Sequence, residues 1–137
     1  MSYAVLQTAI DAVETKLVAL GLTKAALKSP GQDKYKNKYS IGIGAGSSEY
    51  YSVNKINVLV EMHITAWVLK GGDVDAARDT AMGWIEKIIE GLCAISAPAG
   101  SYDIGMPVAW SEPIESDHGI EINLTCAVGF LSSVSIA

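Results

Sequence analysis

Residues 50–69 read YYSVNKINVLVEMHITAWVL, and this stretch decides the fold class. Its apolar residues alternate with more polar ones, which is the pattern of a β-strand with one buried face. The predicted buried face carries Ile56, Val58, Val60, Met62, Ile64, Ala66 and Val68. The run is long for one strand, so we expect it to project beyond the domain body or to carry a bulge.

Two amphipathic helices are predicted on either side of this strand in the chain. The first covers about Tyr3–Leu20, where apolar residues recur at three- and four-residue steps, and Gly21 is expected to end it. The second covers about Val74–Ile95, with Asp73 as its N-cap. Each pattern leaves one apolar face per helix for packing against a sheet.

Shorter strand patterns complete the chain. Alternation at Tyr39–Ala45 predicts a strand that turns at residues 46–48, where the sequence is Gly-Ser-Ser. A strand at Met106–Trp110, with an edge continuation to Ile114 past Pro113, is followed by a turn at residues 116–119. Clean alternation then predicts a last strand at Ile120–Phe130.

These elements predict an α+β fold in the order α-β-β-α-β-β. Helices separated by hairpins indicate one mainly antiparallel sheet packed by two helices on one face. The length of 137 residues suits one domain, residues 1–137. Cys93 and Cys126 are interpreted as small apolar residues without a disulfide, and neither a signal peptide nor a membrane span is expected.

Composition narrows the classes of function. The hydrophobic fraction is 50% and the net charge is −5, which argues against disorder and against a general nucleic-acid binder. Charge is also segregated: residues 1–40 carry six lysines and three acids, whereas residues 97–137 carry five acids and no Lys or Arg. This asymmetry suits a subunit whose positive surface meets the negative surface of a neighbour.

None of the tested patterns predicts a catalytic, cofactor or metal site. Gly42, Gly44 and Gly46 form GxGxG, but no helix follows to bind a phosphate, so we interpret them as a glycine-rich hairpin end. Glu61 and His63 share a strand face and lack a third metal ligand. The remaining acids are interpreted as a helix cap and a solvated turn: Asp73, Asp75, Asp79, Glu112, Glu115, Asp117 and Glu121.

Lysines and aromatic residues are the better candidates for a functional surface. Lys34, Lys36 and Lys38 would share one side of an extended segment, which could contact nucleic acid or form an interface loop. Tyr50 and Tyr51 are adjacent, so one of them must face away from the core, and Trp67 is out of phase with the buried face. Aromatic residues on both sides of a strand favour a second face that a partner covers.

The order and lengths of these elements resemble the tail terminator (tail completion) proteins of long-tailed bacteriophages. The corresponding pieces are a leading helix, a basic loop, a long hairpin, a second helix and a closing hairpin: Tyr3–Leu20, Leu22–Lys38, Tyr39–Leu69, Val74–Ile95 and Met106–Leu131. The closing run Gly119–Leu124, a turn followed by alternating residues, looks like the family's final strand. The resemblance covers most of the chain and rests on pattern rather than on a diagnostic motif.

The resemblance implies a structural virion protein that is not an enzyme and needs no cofactor. Such a protein assembles as a ring, usually a hexamer, on the head-proximal end of the tail tube, ends tube polymerisation and meets the head connector or stopper. It would be found in the tail or neck of the virion, and in the host cytoplasm during assembly. The candidate subunit or tube contacts are Lys34, Lys36, Lys38, Tyr50, Tyr51 and Trp67. A second role for the lysines is contact with DNA in the lumen.

Two other functions stay open from the sequence. One is another neck or head-closure connector protein of the same particle, which would also be a small ring-forming domain. The other is a small-molecule-binding or enzymatic α+β domain, which requires a pocket with convergent polar groups.

Overall fold

The computed structural model describes residues 3–25, 36–69, 74–97 and 101–133. These residues form two helices and six strands of one sheet. In chain order they are α1 (Tyr3–Ala19), β1 (Thr23–Lys24), β2 (Lys38–Ser52), β3 (Lys55–Val68), α2 (Val74–Cys93), β4 (Asp103–Trp110), β5 (Ile114–Glu115) and β6 (Ile120–Ser133).

The predicted fold class is confirmed: the protein is α+β with a mainly antiparallel sheet. The strand order is β1-β2-β3-β6-β4, β5 pairs with β6, and only the β1–β2 pair is parallel. The predicted order α-β-β-α-β-β holds for the long elements and omits β1 and β5. Each of these has two residues, which is too short for a periodic signal.

The core lies between the helices and one face of the sheet. In β3 the residues Met62, Ile64, Ala66 and Val68 are fully buried, as their alternation predicted. The residues that cover them come from one face of each helix: Ala9, Val13 and Leu17 of α1, and Ala77, Ala81, Ile85, Ile88 and Leu92 of α2. Strand β6 alternates equally cleanly, with Ile120, Ile122, Leu124 and Val128 buried.

Gly21 ends α1 as predicted. It has a φ of +98°, a left-handed conformation that suits glycine because a Cβ would be strained there. The Leu22 N–H donates to the Leu17 carbonyl at 3.2 Å, and the Gly21 N–H donates to the Val18 carbonyl at 3.0 Å. This pair of bonds is a Schellman motif, which satisfies two carbonyls at the helix end.

The predicted position of the first hairpin turn is wrong. Strand β2 does not end at Ala45 but continues to Ser52, and the loop consists of Val53 and Asn54. Gly44 and Gly46 lie within the strand, where an added Cβ would meet close neighbours, and a β-bulge falls between Ile43 and Gly46. A Cβ on Gly46 would lie only 3.1 Å from the Leu59 carbonyl oxygen.

Other element ends shift by a few residues. Helix α2 ends at Cys93 rather than Ile95, and β4 begins at Asp103 rather than Met106. The continuation past Pro113 is the separate strand β5. The predicted turn at residues 116–119 is confirmed, because the Ser116 N–H donates to the Gly119 carbonyl at 2.9 Å. The predicted N-cap, Asp73, lies outside the described residues.

The two cysteines are free thiols in different surroundings. Cys93 is exposed at the end of α2, whereas Cys126 is buried in β6. Burial raises the pKa of the Cys126 thiol above its usual value.

Candidate functional site

The helices cover only one face of the sheet. The other, which we call the open face, carries the alternate residues of β3 and β6, because directly paired residues of an antiparallel ladder share a face. Its polar members are Glu61, His63, Thr65, Trp67, Glu121, Asn123 and Thr125. Among the described residues, no helix lies over the open face. This is the second face of the sheet, which the sequence analysis expects a partner to cover.

A chain of hydrogen bonds orders one half of the open face. The Trp67 indole N–H donates to one Glu121 carboxylate oxygen at 2.8 Å, and the Asn123 amide donates to the other at 3.1 Å. The Thr65 hydroxyl donates to the Asn123 side-chain oxygen at 2.8 Å. These bonds hold the half-buried Trp67 ring in one orientation on the open face, where the sequence placed it.

The side chain of His63, a residue of β3, extends over Gly44 of the neighbouring strand β2 in the middle of the open face. Its Nε2 is 3.6 Å from a Glu61 carboxylate oxygen, and its Nδ1 is 3.4 Å from the Thr125 hydroxyl. A Cβ on Gly44 would overlap the His63 ring, so glycine is required for this ring position. Across the described residues, no group of three or more His, Cys, Asp or Glu is arranged to hold a metal ion.

The outer part of β2 is exposed from Gly42 to Ser52. We call residues 46–56 the hairpin tip. Tyr50 is 79% exposed, Tyr51 58% and Val53 70%. Tyr50 is paired with Ile56, and Tyr51 falls in a second irregularity of the ladder. The sequence predicted one long strand over residues 50–69 that projects beyond the domain body or carries a bulge, and this prediction is wrong. The run contains the hairpin turn at Val53 and Asn54, and both irregularities of the ladder lie on β2.

The six candidate contact residues do not form one cluster. Lys38 is directly opposite Trp67 in the β2–β3 ladder, so these two share the open face at the body end of the hairpin. Tyr50 and Tyr51 lie at the other end of β2, about 40 Å away for twelve residues of extended strand. Lys36 is exposed just before β2, and Lys34 lies outside the described residues.

A buried tyrosine anchors the body end of β2 to α1. Tyr39 is 2% exposed, and its hydroxyl donates to a Glu14 carboxylate oxygen at 2.7 Å. The other Glu14 oxygen is 4.0 Å from the Lys24 ammonium. Burial, followed by the hydrogen bond and the charge of Glu14, raises the pKa of Tyr39 to about 12.

Two clefts were not predicted from the sequence. An apolar cleft of about 300 Å³ lies between α2 and the end of β4, and its lining residues include Met82, Ile89 and the half-exposed Trp110. The helical spacing of Met82, Ile85 and Ile89 was the available signal. A cleft of about 580 Å³ beside the hairpin tip is lined by residues that include Glu49, Asp103, Leu59 and Leu131.

Comparison with known proteins gives no family assignment. No protein-family model matches the chain, and no curated protein is detectably similar to it. Neither of the helices in the described ranges is long and apolar enough to cross a membrane.

Proposed function

We propose that this protein is a phage tail terminator, which assembles as a ring on the head-proximal end of the tail tube and stops its growth. The exposed outer half of β2 carries the proposal. Strands β2 and β3 have 15 and 14 residues, and the end of their hairpin exposes Tyr50, Tyr51 and Val53. Exposed aromatic side chains are typical of a protein–protein contact.

The arrangement of elements supports the same proposal. A leading helix, a long hairpin, a second helix and a closing antiparallel pair of strands, β4 and β6, follow each other in the order that the resemblance implies. The open face is ordered by its own hydrogen bonds, and an ordered polar surface can meet a partner without losing further side-chain entropy. Lys38 and Trp67, at the body end, are then assigned to subunit contacts, and the hairpin tip is assigned to the tube contact.

In this proposal the protein acts by capping and forms or breaks no covalent bond. One side of the ring would occupy the contact that the next tube subunit needs, and the other side would present a different surface to the head connector or stopper. Subunit contacts in such a ring are heterologous, which means that two different surfaces of each subunit meet head to tail. Such contacts close into a ring when the rotation between neighbouring subunits completes a circle.

The test measures tube length. The purified protein is added to polymerising tail-tube protein encoded in the same genome, and tube lengths are counted by electron microscopy. Shorter tubes with a ring-sized density at one end support the proposal. Tubes of unchanged length, together with no ring-sized species in sedimentation, contradict it. Binding to a purified head-connector ring but not to tubes would instead favour a head-closure protein.

Variants separate the two assigned contacts. Tyr50→Ser with Tyr51→Ser should abolish capping, whereas the control Val18→Ser, at an exposed apolar position of α1, should leave it unchanged. Changing Lys34, Lys36 and Lys38 together to Glu should weaken ring formation. If the double tyrosine variant still caps tubes, the assignment of the hairpin tip to the tube contact is wrong.

A further inference from the structure

Among the residues that the structure describes, nothing pairs with the outer edge of β2 along most of its length. Strand β1 pairs only with Lys38 and Tyr39, and no described strand pairs with the outer edge from Ser40 to Ser52. Exposed edges are usually blocked by Lys, Pro or charged residues. Residues 40–48 contain none of these, and Glu49 is the first charge. An open edge of this kind is a template for another strand.

The hydrogen bonds to β1 show which backbone groups face the edge. The Ala25 N–H donates to the Tyr39 carbonyl, so Tyr39 points its backbone groups outward, and Ile41 and Ile43 follow with a period of two. The bulge at residues 44 and 45 inserts one extra residue opposite Glu61 and shifts this alternation by one. Beyond it, Gly46, Ser48 and Tyr50 therefore present their N–H and carbonyl groups to the edge.

The segment Gly46–Tyr50 is complementary to itself in an antiparallel register. With a two-fold axis at Ser48, Ser48 faces its own copy and Tyr50 faces the copy's Gly46. The tyrosine ring can then cover the glycine, a favourable cross-strand pair. On the other face, Glu49 lies opposite the copy's Ser47, so no like charges are directly opposed. The three pairs together exchange six backbone hydrogen bonds.

The opposite edge of the sheet is less suitable as the partner of β2. Strand β4 has a register shift between Gly105 and Ala109, and Pro107 within it has no N–H to donate. Pairing near Ile41 is also disfavoured, because a strand continuing along β2 from there would meet β1 beside Tyr39. The hairpin tip is free of both obstacles.

We infer that two copies of this protein pair through the outer edge of β2 at Gly46–Tyr50, forming one continuous sheet across a two-fold dimer. The contact is small, so the dimer is weak and forms at about 0.1–1 mM protein. A two-fold contact is complete at two copies and cannot close a ring, so it differs from the proposed subunit contacts of the ring. It shares Tyr50 with the proposed tube contact, so the dimer and the tube would compete for the hairpin tip.

Disulfide trapping tests the register directly. In a Cys93→Ser background, which removes the exposed native thiol, Ser48→Cys places two cysteines directly across the two-fold axis. Their Cα atoms would be about 5.5 Å apart, within disulfide range. The matched control Ser47→Cys lies opposite the copy's Glu49, so its own copies are about 8 Å apart, out of range. We expect cross-linking at least about tenfold faster for Ser48→Cys. Equal rates would overturn the register.

Sedimentation across about 10 μM to 1 mM protein, without tube protein, tests the dimer itself. Ser48→Pro removes an outward N–H that β3 does not use, and should raise the dimer dissociation constant about tenfold or more. Ser48→Ala keeps the N–H and should change the constant less than about twofold. A monomer at every concentration, or equal effects of Pro and Ala, would overturn the proposal. These outcomes leave tube capping untouched, so the two proposals can fail separately.

Discussion

The two ends of the β2–β3 hairpin differ in what holds them. At the body end, Met62, Ile64, Ala66 and Val68 are fully buried beneath the helices. At the hairpin tip, Tyr50 and Tyr51 are exposed, and β2 is held there by its ladder to β3. Burial supplies most of the free energy of folding, whereas an uncovered ladder contributes little. Residues at the tip can therefore be suited to contact with another protein, because the stability of the fold depends little on their packing.

The largest expected difference between the two ends is in packing energy. Ile64→Ala removes a fully buried side chain at the body end and should lower the free energy of unfolding by about 3 kcal/mol. Val53→Ala at the tip should change it by less than about 0.5 kcal/mol. Urea denaturation of both variants measures the difference. Similar losses for the two variants would mean that the tip is covered in solution.

The Tyr39 anchor should appear as a loss of stability at high pH. The pKa of Tyr39 is about 12 in the folded chain and near 10 when unfolded, so its contribution is complete below pH 10. Between pH 10 and 12 the unfolded chain binds fewer protons than the folded chain, so the free energy of unfolding falls as pH rises, by up to ~2 kcal/mol.

The Tyr39→Phe variant lacks the hydroxyl and therefore lacks this pH-dependent contribution to the free energy of unfolding. The difference in unfolding free energy between the native protein and the Tyr39→Phe variant should therefore shrink between pH 10 and 12, although other groups titrate in both proteins. Urea denaturation of the pair at several pH values measures it. Parallel stability curves across this range would show that the hydroxyl is not held as the structure places it.

A smaller effect is expected at the boundary between the two ends. Gly44→Ala would displace the His63 ring and should cost about 1 kcal/mol of unfolding free energy. In a His63→Ala background the same change should cost almost nothing, because the overlapping ring is gone. A double-mutant cycle measures this coupling. An equal cost in both backgrounds would trace the penalty to the backbone of the bulge.

Strong side-chain periodicity made most of the fold predictable. The alternation of β3 and β6 and the three- and four-residue steps of α1 and α2 led to the observed core. The outer half of β2 was missed because Gly46, Ser47 and Ser48 have small or absent side chains, so no alternation marks them as strand. The same residue types are common in turns, and only the tertiary contact with Leu59 distinguishes the two uses.

The candidate surface was predictable only in part. The chain itself placed Trp67 on the face opposite the core and the tyrosines at exposed positions. It did not show that Glu121, 54 positions away, binds the Trp67 indole, because the register between β3 and β6 decides that contact. For the same reason, nothing in the local sequence indicated that Lys38 lies beside Trp67 and far from Tyr50.

The two thiols give the protein an internal kinetic reporter. Cys93 is exposed and should react rapidly with a thiol reagent. Cys126 is buried and paired with Met62 in the sheet, so it should react only when the core opens. The slow phase of labelling therefore measures how often the core opens under native conditions. Because Cys126 belongs to β6, which has a paired strand on each side, this rate follows the body of the domain and is insensitive to fraying of the hairpin tip.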